Sequence, residues 1–220
     1  YDARWLFGSE INLMGVQALG LGLATLLHEM GVRPELSTGH DYRSYSASIK
    51  YALITGLMAG GVKVHDIGLA LSPMAYFAQF DLDVPAVAMV TASHNDNGWT
   101  GVKMGAQRPV TFGPDEMGRL RDIVLEGRFK YHDGGAYRFV ENFPARYIAD
   151  LTVRFDPAPI RRLLRGANIP ITETLSKPLV VVPLLLLFQF RKSLLVNTHV
   201  LYYHMVNLIL QKGKIASIMQ

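Results

Sequence analysis

The stretch that most constrains this chain is Pro85-Ala-Val-Ala-Met-Val-Thr91. It carries no charge and no alternation of apolar with polar positions. A short run of this kind fits a strand buried on both faces, and such a strand needs helices above and below its sheet. It passes directly into the polar loop Ala92-Ser-His-Asn-Asp-Asn-Gly98. A polar loop at the end of a buried strand costs free energy unless its groups are hydrogen-bonded or bind something.

The flanking sequence supplies the helices. Leu13, Val16, Leu19, Leu23, Leu26 and Leu27 recur at three- and four-residue steps, which predicts a helix over residues 11–30 with Asn12 as its cap. Residues 35–39 are a short strand candidate. Residues 46–59 are a second helix, with Ile49, Ala52, Leu53 and Leu57 as its buried stripe. Residues 62–67 read as a strand and 73–80 as a helix that starts at Pro73. Beyond the polar loop, Val102-Lys103-Met104 returns as a strand. Pro114, Asp115 and Glu116 open a helix to about residue 126, with acidic groups suited to its first turn. Residues 128–142, polar and glycine-containing, read as a small hairpin, and 143–155 as a last helix. Asp156-Pro157 and Pro159 then mark a boundary.

Alternating helices and strands define the expected fold class. It is α/β: a three-layer domain with a mixed, largely parallel sheet over residues 1–150. An incomplete or atypical second domain, an apolar tail, is expected over 151–220. In parallel sheets, sites form beyond the carboxyl ends of the strands.

Composition removes several function classes. Half of the 220 residues are hydrophobic, enough for a folded core. There is no cysteine, which excludes disulfide scaffolds, thiolate metal ligation and cysteine nucleophiles. The net charge of +4 is uneven: residues 1–110 carry 7 basic and 9 acidic groups, and residues 111–220 carry 15 and 9. The basic excess lies away from the polar loop, and its densest cluster, Arg161, Arg162 and Arg165, fits a solvated helix face. Nucleic acid is therefore not an expected partner.

A membrane span is not expected either. Residues 179–188 are greasy but too short, and Arg191 and Lys192 follow at once. A buried strand and helix, or a tail that has lost its reading frame, are the readings left for 157–220; an exposed tail would self-associate. No basic leader followed by an apolar run is present, so the expected location is cytoplasmic. The start at Tyr1, with no methionine, reads as a piece of a longer product.

Three places offer chemistry. In Thr91 to Lys103, Ser93 supplies a hydroxyl, His94 an imidazole beside it, and Lys103 a positive charge ten residues on. An ordinary Asn-Gly turn with Ser93 as a cap is the alternative. Gly39-His-Asp-Tyr-Arg43, with Ser44, Ser46 and Ser48, joins a strand to a helix, a natural place to fix an anionic loop or a phosphate. Asp2 and Arg4 form the third, the arginine fork being suited to two phosphoryl oxygens. There is no G-x-S-x-G elbow, no G-x-G-x-x-G after a strand and no P-loop. His28, His65, His132, His199 and His204 lack metal-ligand spacing and read as structural or solvated.

The run Thr91-Ala-Ser-His-Asn95, followed by Gly101-Val-Lys103, resembles the phosphoserine loop of the α-D-phosphohexomutases, the phosphomannomutase/phosphoglucomutase branch in particular. Tyr1-Asp-Ala-Arg4 resembles that family's N-terminal motif, and Gly39-His-Asp-Tyr-Arg43 its Gly-Arg-Asp-x-Arg loop. The match covers about residues 1–150, the first of four domains. It implies that Ser93 carries a phosphoryl group between the 1- and 6-positions of a hexose phosphate through a bisphosphosugar, with His94, Lys103 and Arg4 beside it. Tyr1, Arg4, Asp41, Arg43 and Asn95 would bind phosphate or support the loop. One Mg²⁺ would bind the phosphoserine oxygen.

The departures are Trp5, His40, Asp96 and Thr100, where the family commonly has glycine, arginine, proline and asparagine. The Asp-Gly-Asp metal loop is absent from the 220 residues, as are the sugar loop and the second phosphate loop. The sequence thus leaves two readings: a truncated mutase that is inactive alone, or a non-catalytic phosphate- or partner-binding module.

Overall fold

The computed structural model describes residues 2–108 and 110–154. The element order is β1 (Asp2–Leu6), α1 (Leu13–Glu29), β2 (Glu35–His40), α2 (Ser46–Ala59), β3 (Lys63–Leu69), α3 (Ser72–Asp81), β4 (Ala86–Val90), β5 (Trp99–Gly105), α4 (Pro114–Leu125), β6 (Ala136–Phe139) and α5 (Phe143–Arg154). The chain divides into two units at Tyr147/Ile148, and the first holds the whole sheet. Expectations placed on residues 155–220 lie outside the described residues.

The six strands run in the order β1-β5-β4-β2-β3-β6. β4, β2, β3 and β6 are mutually parallel, and β5 is antiparallel to both β4 and β1. The sheet is mixed and largely parallel, as the alternation of elements predicts. β4 shows why its sequence is apolar throughout. Ala86, Ala88 and Val90 join one core cluster, with α1, α2 and α4, while Val87 and Met89 join the other, with Ala75 and Ala78 of α3 and Phe143.

Two strands differ from expectation. The sequence pattern predicts no strand at β1; its Ala3 and Trp5 pack on the larger core, and it pairs with the distant β5. Residues 128–142 do not form a hairpin. They give the single strand β6, which pairs in parallel with β3, some seventy positions earlier in the chain. All four β6 residues are exposed, so the strand lacks the apolar signature of a buried one. A polar contact anchors it instead. The Tyr137 hydroxyl donates to Asp66 Oδ2 at 3.0 Å, and Lys50 Nζ donates to the same oxygen at 2.6 Å. Gly68 N–H donates to the other oxygen at 2.8 Å. Burial, followed by the Asp66 carboxylate, pushes the Tyr137 phenol above its ordinary value. This ties α2, β3 and β6 together through a buried charge pair.

α1 starts as predicted, with Gly15 N–H donating to Asn12 Oδ1 at 2.9 Å. Leu13, expected in its apolar stripe, is exposed instead. From Leu19 to Leu27 the helix is buried on every side, because α2 and α4 both cover it. Gly20 and Gly56 make the α1–α2 crossing close. A Cβ on Gly20 would meet the Leu53 carbonyl oxygen at 2.2 Å, and one on Gly56 would lie 1.9 Å from that of Gln17.

Among the described residues no helix is long and apolar enough to cross a membrane. His65 Nε2 contacts Glu35 Oε1 at 2.8 Å, His28 Nε2 contacts the Gly60 carbonyl at 2.8 Å, and His28 stacks on His132.

Gly56→Ala tests the helix crossing. Alanine adds about 1 kcal/mol of helix propensity. Overpacking against backbone costs about 1–3 kcal/mol or more, and backbone cannot turn aside as a side chain can. The substitution should therefore lower the urea midpoint with the slope unchanged.

Candidate active site

The loop after β4 leaves the sheet at its carboxyl edge. The loops after β1 and β2 emerge at the same edge, since β1 runs parallel to β4 through their shared antiparallel neighbour β5. Val90 still pairs across to β2, its carbonyl accepting from Asp41 N–H at 3.0 Å, and Thr91 N–H donates to Gly101 O at 2.9 Å. The chain then reverses in a tight turn, with Asn95 N–H donating to Ala92 O at 3.1 Å.

Ser93 sits in that turn with φ of +56°, in the left-handed region. A side-chain-bearing residue there costs about 1–2 kcal/mol, so the turn must be held by its surroundings. The Ser93 side chain is exposed, and its Oγ lies 3.3 Å from His94 Nδ1. Its N–H is satisfied by Thr91 Oγ1 at 2.9 Å.

Three side chains from other loops and strands hold this turn. Asp41 Oδ1 accepts from Ser46 Oγ at 2.6 Å and from Arg43 N–H at 3.2 Å. Its Oδ2 accepts from the Arg43 guanidinium and from Ala92 N–H at 3.4 Å. Arg43 also donates to the Asn95 carbonyl. Arg4, from β1, donates to the Asn95 side-chain oxygen and to Ala92 O at 3.3 Å. The turn is therefore bracketed by two guanidinium groups and a carboxylate.

Arg43 is almost wholly covered, with 3% of its side chain exposed, so it faces the turn rather than solvent. Burial by itself would raise the Asp41 carboxyl. Hydrogen bonds from Ser46, Thr91 and the Arg43 N–H, with the Arg43 charge, outweigh burial and hold the group below its ordinary 3.8.

Lys103 lies on β5 opposite Asp2 of β1 and Met89 of β4. Arg4 pairs with Gly101, two residues earlier, so Arg4 and Lys103 share one face of the sheet. Tyr1 lies outside the described residues. Trp5 packs on the core under β1, and Trp99 begins β5.

His40 fills the position where the resemblance expects arginine. Burial, then the nearby Lys50 ammonium, lower its pKa from 6.5, against opposing contributions from Asp66 and Asp41. Both effects favour the neutral imidazole, and Lys50 Nζ is the group that donates to Asp66.

One residue of the site carries no mark in the sequence: Tyr45, whose hydroxyl reaches the far arm of the serine loop. Thr91, the first residue of the serine run, has a hydroxyl that caps the turn. A tyrosine between two serines gives no signal of its own, because its partners lie fifty residues away.

Residues 1–131 match the family described as "Phosphoglucomutase/phosphomannomutase, alpha/beta/alpha domain I". The chain is 38% identical over 112 residues to a protein of Pyrococcus furiosus named "Probable phosphoglucosamine mutase", covering 51% of this chain and 24% of that one. It is 31% identical over 150 residues to the phosphoglucosamine mutase of Francisella philomiragia, covering 67% and 34%. A crystal structure of a phosphoglucomutase/phosphomannomutase family protein from Burkholderia thailandensis superposes with a TM-score of 0.62 at 25% identity, covering 69% of this chain and 34% of that one. The chain therefore belongs to the phosphohexomutase family, and its residues 1–131 match that family's α/β/α domain I. It spans about a quarter to a third of the length of these curated relatives.

Asp41→Asn tests the electrostatics of the turn. A carboxyl held low in the folded state stabilises fully above its unfolded pKa, and that stability is lost as pH falls through the folded value. The wild type should lose stability below about pH 4 more steeply than Asp41→Asn, measured as urea midpoints from pH 6 to pH 2.

Proposed function

We propose that this chain provides the phosphoryl-carrying domain of a hexose-phosphate mutase, with Ser93 as the carrier. The observation that carries this reading is the turn itself. It exposes Ser93, in a strained backbone conformation, at the carboxyl edge of the sheet, in a turn whose flanking residues Ala92 and Asn95 are bonded by Arg4 and Arg43.

The chemistry follows from that placement. Phosphoryl transfer needs positioning and neutralisation of the phosphoryl oxygens more than covalent help. Ser93 Oγ attacks the phosphorus of a hexose bisphosphate. The bond from phosphorus to the sugar oxygen breaks, and that oxygen takes the proton that Ser93 gives up. His94 Nδ1, beside Oγ, is placed to relay it. In reverse, phosphoserine returns the group to the other hydroxyl of a hexose monophosphate. A phosphoserine carries about −1.5 to −2 charge. Arg4 and Lys103, on one face of the sheet, are assigned to offset it, while Asp41, Arg43 and Asn95 hold the turn. The substrate is a hexose phosphate, with hexosamine phosphates included because two of the relatives are named for that activity.

Magnesium is implied by the family. The described residues do not assemble a ligand set for it: among them no group of three or more His, Asp or Glu side chains could hold a metal, and Asp41 is taken up by the turn. Ser93, once phosphorylated, would offer one oxygen ligand. No step is assigned to the metal. We also propose that the domain ends near residue 150. Because the Asp-Gly-Asp metal loop is missing from the 220 residues, this chain assayed alone should interconvert hexose phosphates weakly or not at all.

The test is intact-mass spectrometry after incubation with glucose 1,6-bisphosphate. The wild type should gain about 80 Da, one phosphoryl group, and tandem spectra should place it on Ser93; Ser93→Ala should gain nothing. A chain that binds the bisphosphate without gaining mass would instead be a phosphate-binding module.

A further inference from the structure

The turn at Ser93 is only the entry arm of its loop. The exit arm, Asp96 to Trp99, is exposed or half-buried and must return the chain to β5 at the right point. Gly98, in that arm, has φ of +101°, a conformation closed to ordinary side chains. A polar, solvent-facing arm with such a backbone does not hold one shape by itself.

Tyr45 holds it. Its hydroxyl accepts from Gly98 N–H at 2.8 Å and donates to the Trp99 carbonyl at 2.9 Å. Both bonding roles of the phenol are used, so the hydroxyl has one orientation. The ring is fixed in turn: it stacks on Phe7 with centroids 5.3 Å apart and planes at 21°. Phe7 N–H donates to the Gly98 carbonyl at 2.9 Å. The two peptide groups of Gly98 are therefore both satisfied, one by Tyr45 and one by the segment after β1.

We propose that Tyr45 is a positioning residue for phosphoryl transfer at Ser93, acting by clamping the exit arm of the serine loop to the loop between β2 and α2. This deepens the mutase reading above and rests on it. The same five-residue loop, Asp41–Tyr45, then grips both arms: Asp41 and Arg43 take the entry arm, Tyr45 the exit arm. The clamp fixes where β5 begins, at Trp99, and β5 carries Lys103 and pairs with Arg4. Loss of the clamp lets the arm that links Ser93 to β5 shift, and small displacements of reacting groups are costly in rate.

The experiment uses the full 220-residue chain and Tyr45→Phe, which removes one atom and keeps the ring. Amide hydrogen exchange by NMR reads the clamp. Gly98 should exchange at least about tenfold faster in the variant, with Ala92 and the amides of β4 unchanged. Single-turnover labelling with glucose 1,6-bisphosphate reads the consequence: the limiting rate should fall about tenfold or more, with the half-saturating concentration unchanged. A purely structural role would lower the urea midpoint and leave the limiting rate of the folded fraction alone, which would overturn the proposal. Unchanged exchange at Gly98 would overturn it as well. A wild type that takes no phosphoryl group onto Ser93 would sink the mutase reading instead, and the exchange rates would then decide the clamp by themselves.

Discussion

A carboxylate with little access to water, Asp41, is the contact on which the rest of this site depends. It stands just past the end of β2, where its own N–H makes a last bond to Val90 of β4, and its carboxylate gathers the Ser46 hydroxyl, the Arg43 N–H, the Arg43 guanidinium and the Ala92 N–H. An unpaired carboxylate there would carry a severe desolvation penalty. Paired, it holds two loops from neighbouring parallel strands against each other. The left-handed residue Ser93 is tolerated only because its neighbours are fixed in this way.

The scaffold explains why the site can be precise. β4 is covered on both faces, so its carboxyl end cannot drift. β5, the antiparallel strand, carries the loop back beside β4 and brings β1 alongside. Arg4 reaches the Ser93 turn through that arrangement, although it lies almost ninety residues from it in sequence. The close contact of α1 and α2 at Gly20 and Gly56 keeps the layer beneath rigid.

Much of this fold is legible in the amino-acid sequence. The unbroken apolar run of β4, the cap at Asn12, the α2 stripe and Pro73 each reflect a local rule, and each element lies close to its expected bounds. The two strands that the sequence pattern does not predict share a physical cause. β1 and β6 are edge strands of five and four residues, half-paired and poorly buried, and partners distant in the chain decide their existence. Glycines at 134 and 135 imitate a hairpin turn, but a Tyr137–Asp66 hydrogen bond sets the strand. The same holds at the site. Ser93 and His94 announce themselves as polar residues after a buried strand, and Asp41 with Arg43 as a charged strand-to-helix loop. That Arg43 points inward, that burial lowers the His40 pKa, and that Tyr45 takes part at all depend on contacts no local pattern encodes.

The central claim is that the serine turn is set before any ligand arrives, by the contacts of Asp41, Arg43 and Arg4. The most direct check is the intraresidue amide-to-α-proton Overhauser effect at Ser93 in the ligand-free protein. A left-handed backbone brings those two protons close, and the effect should be as strong as at residues known to have positive φ. A weak effect, of the size seen in the extended residues of β4, would show a relaxed loop and contradict the account.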